Sequence, residues 1–213
     1  MARHDQTFAK HLRQADYLLP DGIGLVWASR LLHFFGRAKQ SISERIAGVE
    51  VVEALLREAE THKLTTLIIG GRDYQGSFEG EAFEDERSLK KLRPLLYWTE
   101  GYQDKAEILP VEELALEKII KRLRPTLVFV ALGAPDQERW LSEHRSLLEQ
   151  SRVKIAMVVG GSFDFILGKV PRAPRLWQKF GFEWLWRLYQ QPWRKRRQLR
   201  LLQFIALTFR ELF

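Results

Sequence analysis

Asp21 lies in the run Leu18-Leu19-Pro20-Asp21-Gly22-Ile23-Gly24, where a short apolar stretch gives way to helical spacing. A carboxylate at such a strand-to-helix turn can take a proton from a hydroxyl as a general base. It can equally hold a turn or cap a helix. Asp164 follows Gly160-Gly161 and Phe163 and has the same two readings. Arg187, Arg194 and Arg197 are spaced by seven and three, steps that share a face on one continuous helix, unless Pro192 kinks it. Arg172 and Arg175 repeat the three-residue step. Clustered guanidinium groups are suited to gripping a diphosphate bidentately, although the same spacing also describes a solvated charge run.

Three apolar stretches end in glycine, at Gly70-Gly71, Gly133 and Gly160-Gly161. Glycine lets backbone N–H groups come close to a phosphate or sugar, and such ends in one sheet would line a shared crevice. Ordinary turn chemistry also uses glycine there. No G-x-G-x-x-G follows a strand and no Walker loop occurs, which argues against dinucleotide and P-loop chemistry. Pro135 stands where a helix should begin, as Pro at the first helical position would, so Gln137 would project from the first turn towards the crevice. With no Cys and five scattered His, the chain has no disulfide framework and no recognisable metal-ligand spacing. Glu84-Asp85-Glu86 reads as a solvated face, and no D-x-D pair is present.

These residues need a scaffold, and hydrophobic spacing supplies one. Strands are expected at 15–19, 64–71, 95–102, 126–133 and 153–161, each a short apolar run. Helices are expected at 5–14, 23–31, 48–62, 111–124 and 135–148, with a charged surface helix over 74–92. Apolar strands alternating with amphipathic helices give an α/β fold, a mostly parallel sheet with helices on both faces. Ligands of such sheets bind outside the carboxyl ends of the strands. After Gly168 the strand signal stops, so residues 1–168 read as a core and 169–213 as a helical appendage.

Charge divides at the same place. From Lys169 onward there are eleven Lys or Arg against two acids, Glu183 and Glu211, while the whole chain carries +7. A basic tail of this kind meets phosphate, nucleic acid or an anionic membrane. Four of the seven Trp fall between Trp177 and Trp193. Beyond them Leu199, Leu202, Ile205, Ala206, Phe209 and Leu212 form one apolar face, the pattern of an interfacial membrane helix or of a helix docked on the core or on a second subunit. No secretory signal is visible and no run is long enough to span a bilayer.

Together these segments resemble the WecG/TagA/CpsF family, glycosyltransferase family 26. The resemblance rests on Ala15-Asp16 with Leu18 to Gly24, on Glu44-Arg45-Ile46-Ala47-Gly48, and on Leu67 to Gly71. It continues through the run from Leu132 to Trp140, the run from Gly160 to Pro174, Glu183-Trp184-Leu185, Arg187-Leu188, and Gln190 to Arg197. It implies a Rossmann-like core with an appendage that closes the site. It also implies an inverting transferase, peripheral on the inner face of a bacterial membrane. Such an enzyme would move N-acetylmannosamine or its uronic acid from a UDP-sugar to a polyprenyl-diphosphate-linked sugar, for teichoic acid or another surface polysaccharide. Asp21 matches the family's proposed base in its D-G motif. Arg45 and Gln137 match sugar-site positions, and Arg187, Arg194 and Arg197 match arginines proposed to hold the donor diphosphate. Gly22, Gly70, Gly71, Gly133, Pro135, Gly160, Gly161, Phe163, Asp164 and Arg172 complete the expected substrate-binding set.

The resemblance also implies a further N-terminal strand, with a Thr-x-Asn-like segment, before Met1. Gln191 stands where the family usually has Glu before Pro192. With arginines at the diphosphate, no metal or other cofactor is expected. Two other readings stay open: a catalytically impaired nucleotide-sugar-binding or scaffold protein of the same fold, and a nucleic-acid-binding module using the basic, Trp-rich tail. Pairing of the tail with a second subunit is a further possibility.

Overall fold

The structure is a computed structural model that describes residues 5–71, 81–83, 86–104, 107–179, 182–192 and 195–212. It divides into two compact units. One comprises residues 1–18 and 52–167, the other 19–51 and 168–213. Residues 19–51 group with the segment from Gly168 onward, whereas the sequence reading assigned them to the sheet domain.

The first unit is built on a six-stranded sheet in the order β2-β3-β4-β1-β5-β6. Its parallel part is β4 (Leu96–Thr99), β1 (Thr66–Gly70), β5 (Leu127–Ala131) and β6 (Ile155–Val158). β1 is central and wholly buried, and in register Ile68 lies beside Trp98 on one side and Phe129 on the other. Successive residues of a strand face opposite ways, and that alternation divides the core in two. Leu67, Ile69, Val128 and Val130 pack with Leu116, Ile119 and Ile120 of α4 (Pro110–Leu123), Trp140 of α5 (Asp136–Glu143) and Leu148 of α6 (Arg145–Gln150). Ile68, Leu127 and Phe129 pack with Val52 and Ala59 of α3 (Gly48–Thr61) and Phe163 of α7 (Ser162–Ile166). The α/β architecture with both faces covered is therefore as expected from the sequence.

Three expectations for this unit are corrected. Residues 86–93 form strand β3, antiparallel to β4 and to the short β2 (Glu81–Phe83), not part of a surface helix. Leu89 is buried in the core, and the antiparallel ladder of this segment to β4 outweighs a weak helical period. Residues 74–80, 84 and 85 of that expected helix lie outside the described residues. Residues 15–19 make no strand; Tyr17 and Leu18 are exposed, and an apolar run without a neighbouring ladder has nothing to pair with. The helix expected over 135–148 is two, α5 and α6, interrupted at His144. α1 (Gln6–Arg13) is present, capped by Asp5.

The second unit contains α2 (Ile23–Phe34), α8 (Arg175–Lys179), α9 (Glu183–Gln190) and α10 (Lys195–Leu212). A single helix running from Arg187 to Arg197 is not formed: α9 ends at Gln190 and α10 starts at Lys195. Pro192 lacks an N–H and drives Gln191 out of the helical region, to φ −132° and ψ 75°. α10 packs on α2 through Leu201 and Phe204, which lie off the expected face, although Leu212 belongs to that face. A Cβ on Gly24 would lie 3.7 Å from both Leu201 and Phe204, and the Leu212 side chain is buried. Leu202, Ile205 and Phe209 remain exposed.

Candidate active site

In the second unit Asp21 is held between two loops. Its Oδ1 accepts the Gly48 N–H at 2.9 Å, and its carbonyl accepts Arg45 Nε–H at 2.6 Å. The Ile46 N–H reaches the Pro20 carbonyl at 3.2 Å, so residues 20–21 and 45–48 form one braced pair. Gly48 opens α3, whose first N–H groups lack intrahelical partners, so Asp21 satisfies a helix N-terminus remote from it in sequence. Asp21 itself precedes α2, with Gly22 as the N-cap. Both readings of Asp21 are thus visible at once. One oxygen does structural work; the other, Oδ2, has no partner among the described residues, and the side chain is 65% exposed.

Arg45 continues the network. Its Nη2 lies 3.0 Å from Glu183 Oε2 and 3.8 Å from Asp21 Oδ1. Glu183 is buried and also faces Arg172, with Oε1 3.6 Å from Nε; Arg172 Nη2 donates to Glu50 Oε1 at 2.8 Å. Five alternating charges, Asp21, Arg45, Glu183, Arg172 and Glu50, therefore run through this unit. Arg45 and Arg172, expected at the substrate, are both engaged in it. Glu183 and Glu50 were missed by sequence reasoning. The available signal was that Glu183 is one of only two acids in a strongly basic segment.

Arg187 lies on α9 and is half-buried. Arg194 lies outside the described residues. Arg197 and Leu199 belong to α10, but their side chains lie outside what is described. Leu202, Ile205 and Phe209 of that helix are exposed, at 63%, 42% and 53%.

In the first unit the glycines stand at the carboxyl ends of β1, β5 and β6, as expected. Gly70 has φ 95°, and a Cβ there would meet the Ala131 backbone at 2.9 Å, so close packing of β1 on β5 already demands glycine. Its carbonyl accepts the Trp98 indole N–H at 2.8 Å. Gly71, Gly133 and Gly160 also have positive φ, and Gly161 is the N-cap of α7. Pro135 is the N-cap of α5 and not its first helical residue. Gln137 is buried: its Oε1 accepts the Gly133 N–H at 3.2 Å, and its Nε2 donates to Glu138 Oε1 at 3.0 Å. A Cβ on Gly160 would lie 4.0 Å from that Oε1, so Gln137 adjoins two of the glycine ends. Phe163 was expected to touch substrate, but it is 1% exposed and packs edge-on against Phe129. An apolar ring so placed is core. Asp164, in the first turn of α7, is half-buried.

A second polar cluster in this unit had no sequence signal. A cavity of about 110 Å³ is lined by Tyr102, Glu113, Leu132, Arg139, Trp140 and His144, among others. The Trp140 indole N–H donates to the Tyr102 hydroxyl at 2.6 Å, and that hydroxyl donates to Glu113 Oε2 at 2.6 Å. His144 stacks on Trp140 and bridges the Trp140 carbonyl and Glu113. Burial first, and then the neighbouring Glu113 carboxylate, push the Tyr102 hydroxyl well above the ordinary phenol range. Among the described residues no group of His, Asp or Glu is arranged to hold a metal ion.

Residues 1–213 match the family profile described as the glycosyl transferase WecG/TagA/CpsF family. Among known proteins the chain is similar to the N-acetylglucosaminyldiphosphoundecaprenol N-acetyl-beta-D-mannosaminyltransferase of Bacillus subtilis strain 168. The two are 30% identical over 208 residues, 97% of this chain and 73% of that protein. The protein of the same description from Bacillus spizizenii is 32% identical over 209 residues, covering 96% of this chain and 72% of its own length.

Proposed function

From the premise that the chain belongs to the WecG/TagA/CpsF family of glycosyl transferases, we propose that it transfers N-acetylmannosamine, or its uronic acid, from a UDP-sugar to a polyprenyl-diphosphate-linked N-acetylglucosamine. The product would feed teichoic acid or a related cell-wall polysaccharide. The observation that carries this reading is Asp21, anchored through Oδ1 with Oδ2 unpartnered among the described residues. A carboxylate held by one oxygen and open at the other is suited to accepting a proton in a fixed direction.

In this mechanism an acceptor hydroxyl gives its proton to Asp21 as its oxygen bonds to the anomeric carbon. The bond from that carbon to the UDP oxygen breaks on the opposite face, inverting the configuration through an oxocarbenium-like transition state. Negative charge develops on the departing diphosphate, where Arg187, Arg194 and Arg197 would stabilise it without a metal. Gln137 and the glycine ends Gly70, Gly71, Gly133, Gly160 and Gly161 would receive the donor. Leu202, Ile205 and Phe209, with Leu199, would rest on the inner face of the membrane that carries the acceptor. No described helix is long and apolar enough to cross a membrane.

The test is to incubate the protein with UDP-N-acetylmannosamine and a short prenyl-diphosphate N-acetylglucosamine, with and without EDTA, and to look for the disaccharide by mass spectrometry. Product is expected in both conditions. Asp21→Asn should lower kcat by at least about a hundredfold, the low end for loss of a general base, with UDP binding retained. UDP binding without turnover in the unaltered chain would replace this reading with a nucleotide-sugar-binding role.

A further inference from the structure

Arg45 Nη2 stands between two carboxylates, 3.0 Å from Glu183 and 3.8 Å from Asp21. Its Nε is bonded to the Asp21 carbonyl at 2.6 Å, so the position of Arg45 sets both the backbone and the electrostatic surroundings of Asp21. Glu183 is buried, opens α9, and faces a second guanidinium, Arg172, 3.6 Å away and itself bonded to Glu50. A buried carboxylate between two guanidiniums is strongly held, because removing one partner leaves uncompensated charge.

We infer that Glu183 is a positioning residue for Asp21: it draws the Arg45 guanidinium off the Asp21 carboxylate while keeping Arg45 on the Asp21 carbonyl. The inference rests on the reading of Asp21 as the base. Without the Glu183 charge, the nearest carboxylate to Arg45 Nη2 among the described residues is Asp21. Closing that 3.8 Å gap would turn the base into half of a salt bridge and shift its backbone anchor. Glu183 touches no reacting atom in this scheme, and its effect reaches the reaction only through Arg45. The C-terminal segment thereby supplies the residue that tunes a base carried by residues 19–51, with both segments in one compact unit.

Glu183→Gln preserves size and helix start and removes the charge. Expected is a loss in kcat of about ten- to a hundredfold, the scale of a small misplacement at a reacting centre, with KM for the UDP-sugar kept within about twofold. Arg45→Lys combined with Glu183→Gln should be no slower than Arg45→Lys alone, since both act through one guanidinium. The Arg45 Nε–H, read by NMR and assigned by its loss in Arg45→Lys, should exchange at least about tenfold faster in Glu183→Gln. Unchanged kcat overturns the inference, as does a joint fall of kcat, substrate affinity and Tm, which marks a purely structural role. If Asp21→Asn keeps full turnover, the base reading fails instead. Arg45 Nε–H exchange then decides alone whether Glu183 holds Arg45, and unchanged exchange overturns that hold.

Discussion

Tyr102 places its hydroxyl between an indole N–H and a carboxylate, with both bonds at 2.6 Å and the residue buried. Tyr102→Phe would leave the Trp140 N–H and Glu113 short of a partner, at a cost of about 1–3 kcal/mol for a buried unsatisfied group. Chemical denaturation at neutral pH measures it. The folded protein holds this hydroxyl protonated above the range of an unfolded tyrosine. The associated stability is therefore complete below about pH 10 and declines as pH rises beyond it. Wild type should lose stability above that pH more steeply than Tyr102→Phe; parallel slopes would refute this. Asp21 belongs to the same scale. Its type and its place before a helix were legible, because turn carboxylates announce themselves locally. That its Oδ1 caps α3 was not, since Gly48 is distant in sequence.

β1 and β5 illustrate what an element demands. Both are buried along their whole length, and both read as uninterrupted apolar runs, the signature of parallel strands covered on both faces. The end of β1 has no room beside Ala131 and uses φ 95°. Gly70→Ala should therefore destabilise the protein by about 1–3 kcal/mol, combining backbone strain with overpacking, as read from the unfolding midpoint. An unchanged midpoint would mean that the strands yield at little cost. Strand β3 reads as helix in the sequence because Leu89, the one deeply buried side chain among those described in it, gives too short a pattern to separate the two periods. α10 shows the complementary difficulty. Apolar residues occupy more than one stripe, and only the position of α2 selects Leu201 and Phe204 as the packed pair.

For the molecule as a whole, basic charge concentrates in the C-terminal segment, which carries eleven Lys or Arg against two acids. Exposed Leu202, Ile205 and Phe209 follow the basic start of α10. Vesicles containing anionic lipid should bind the protein more tightly than neutral ones, and added salt should weaken the contact as charges are screened. Replacing Leu202, Ile205 and Phe209 by Ser should reduce vesicle affinity by at least about tenfold, since each buried side chain contributes roughly 1.5–3 kcal/mol. The α2 contacts made by Leu201 and Phe204 are spared, so stability should hold. Vesicle binding unaffected by the three substitutions would point to docking through another surface.

Sequence alone determined the alternation of apolar strands and amphipathic helices, the glycines at three strand ends, the segregation of charge and the family resemblance. All are written in local period, residue type or motif order. Tertiary structure decided which side chains meet. It turned Phe163 into core, set Gln137 beside Gly160, joined residues 19–51 to the C-terminal segment, and placed Glu183 against Arg45 across 138 positions of sequence. Such contacts depend on long-range closure of the chain, and neither periodicity nor motif spacing carries that information.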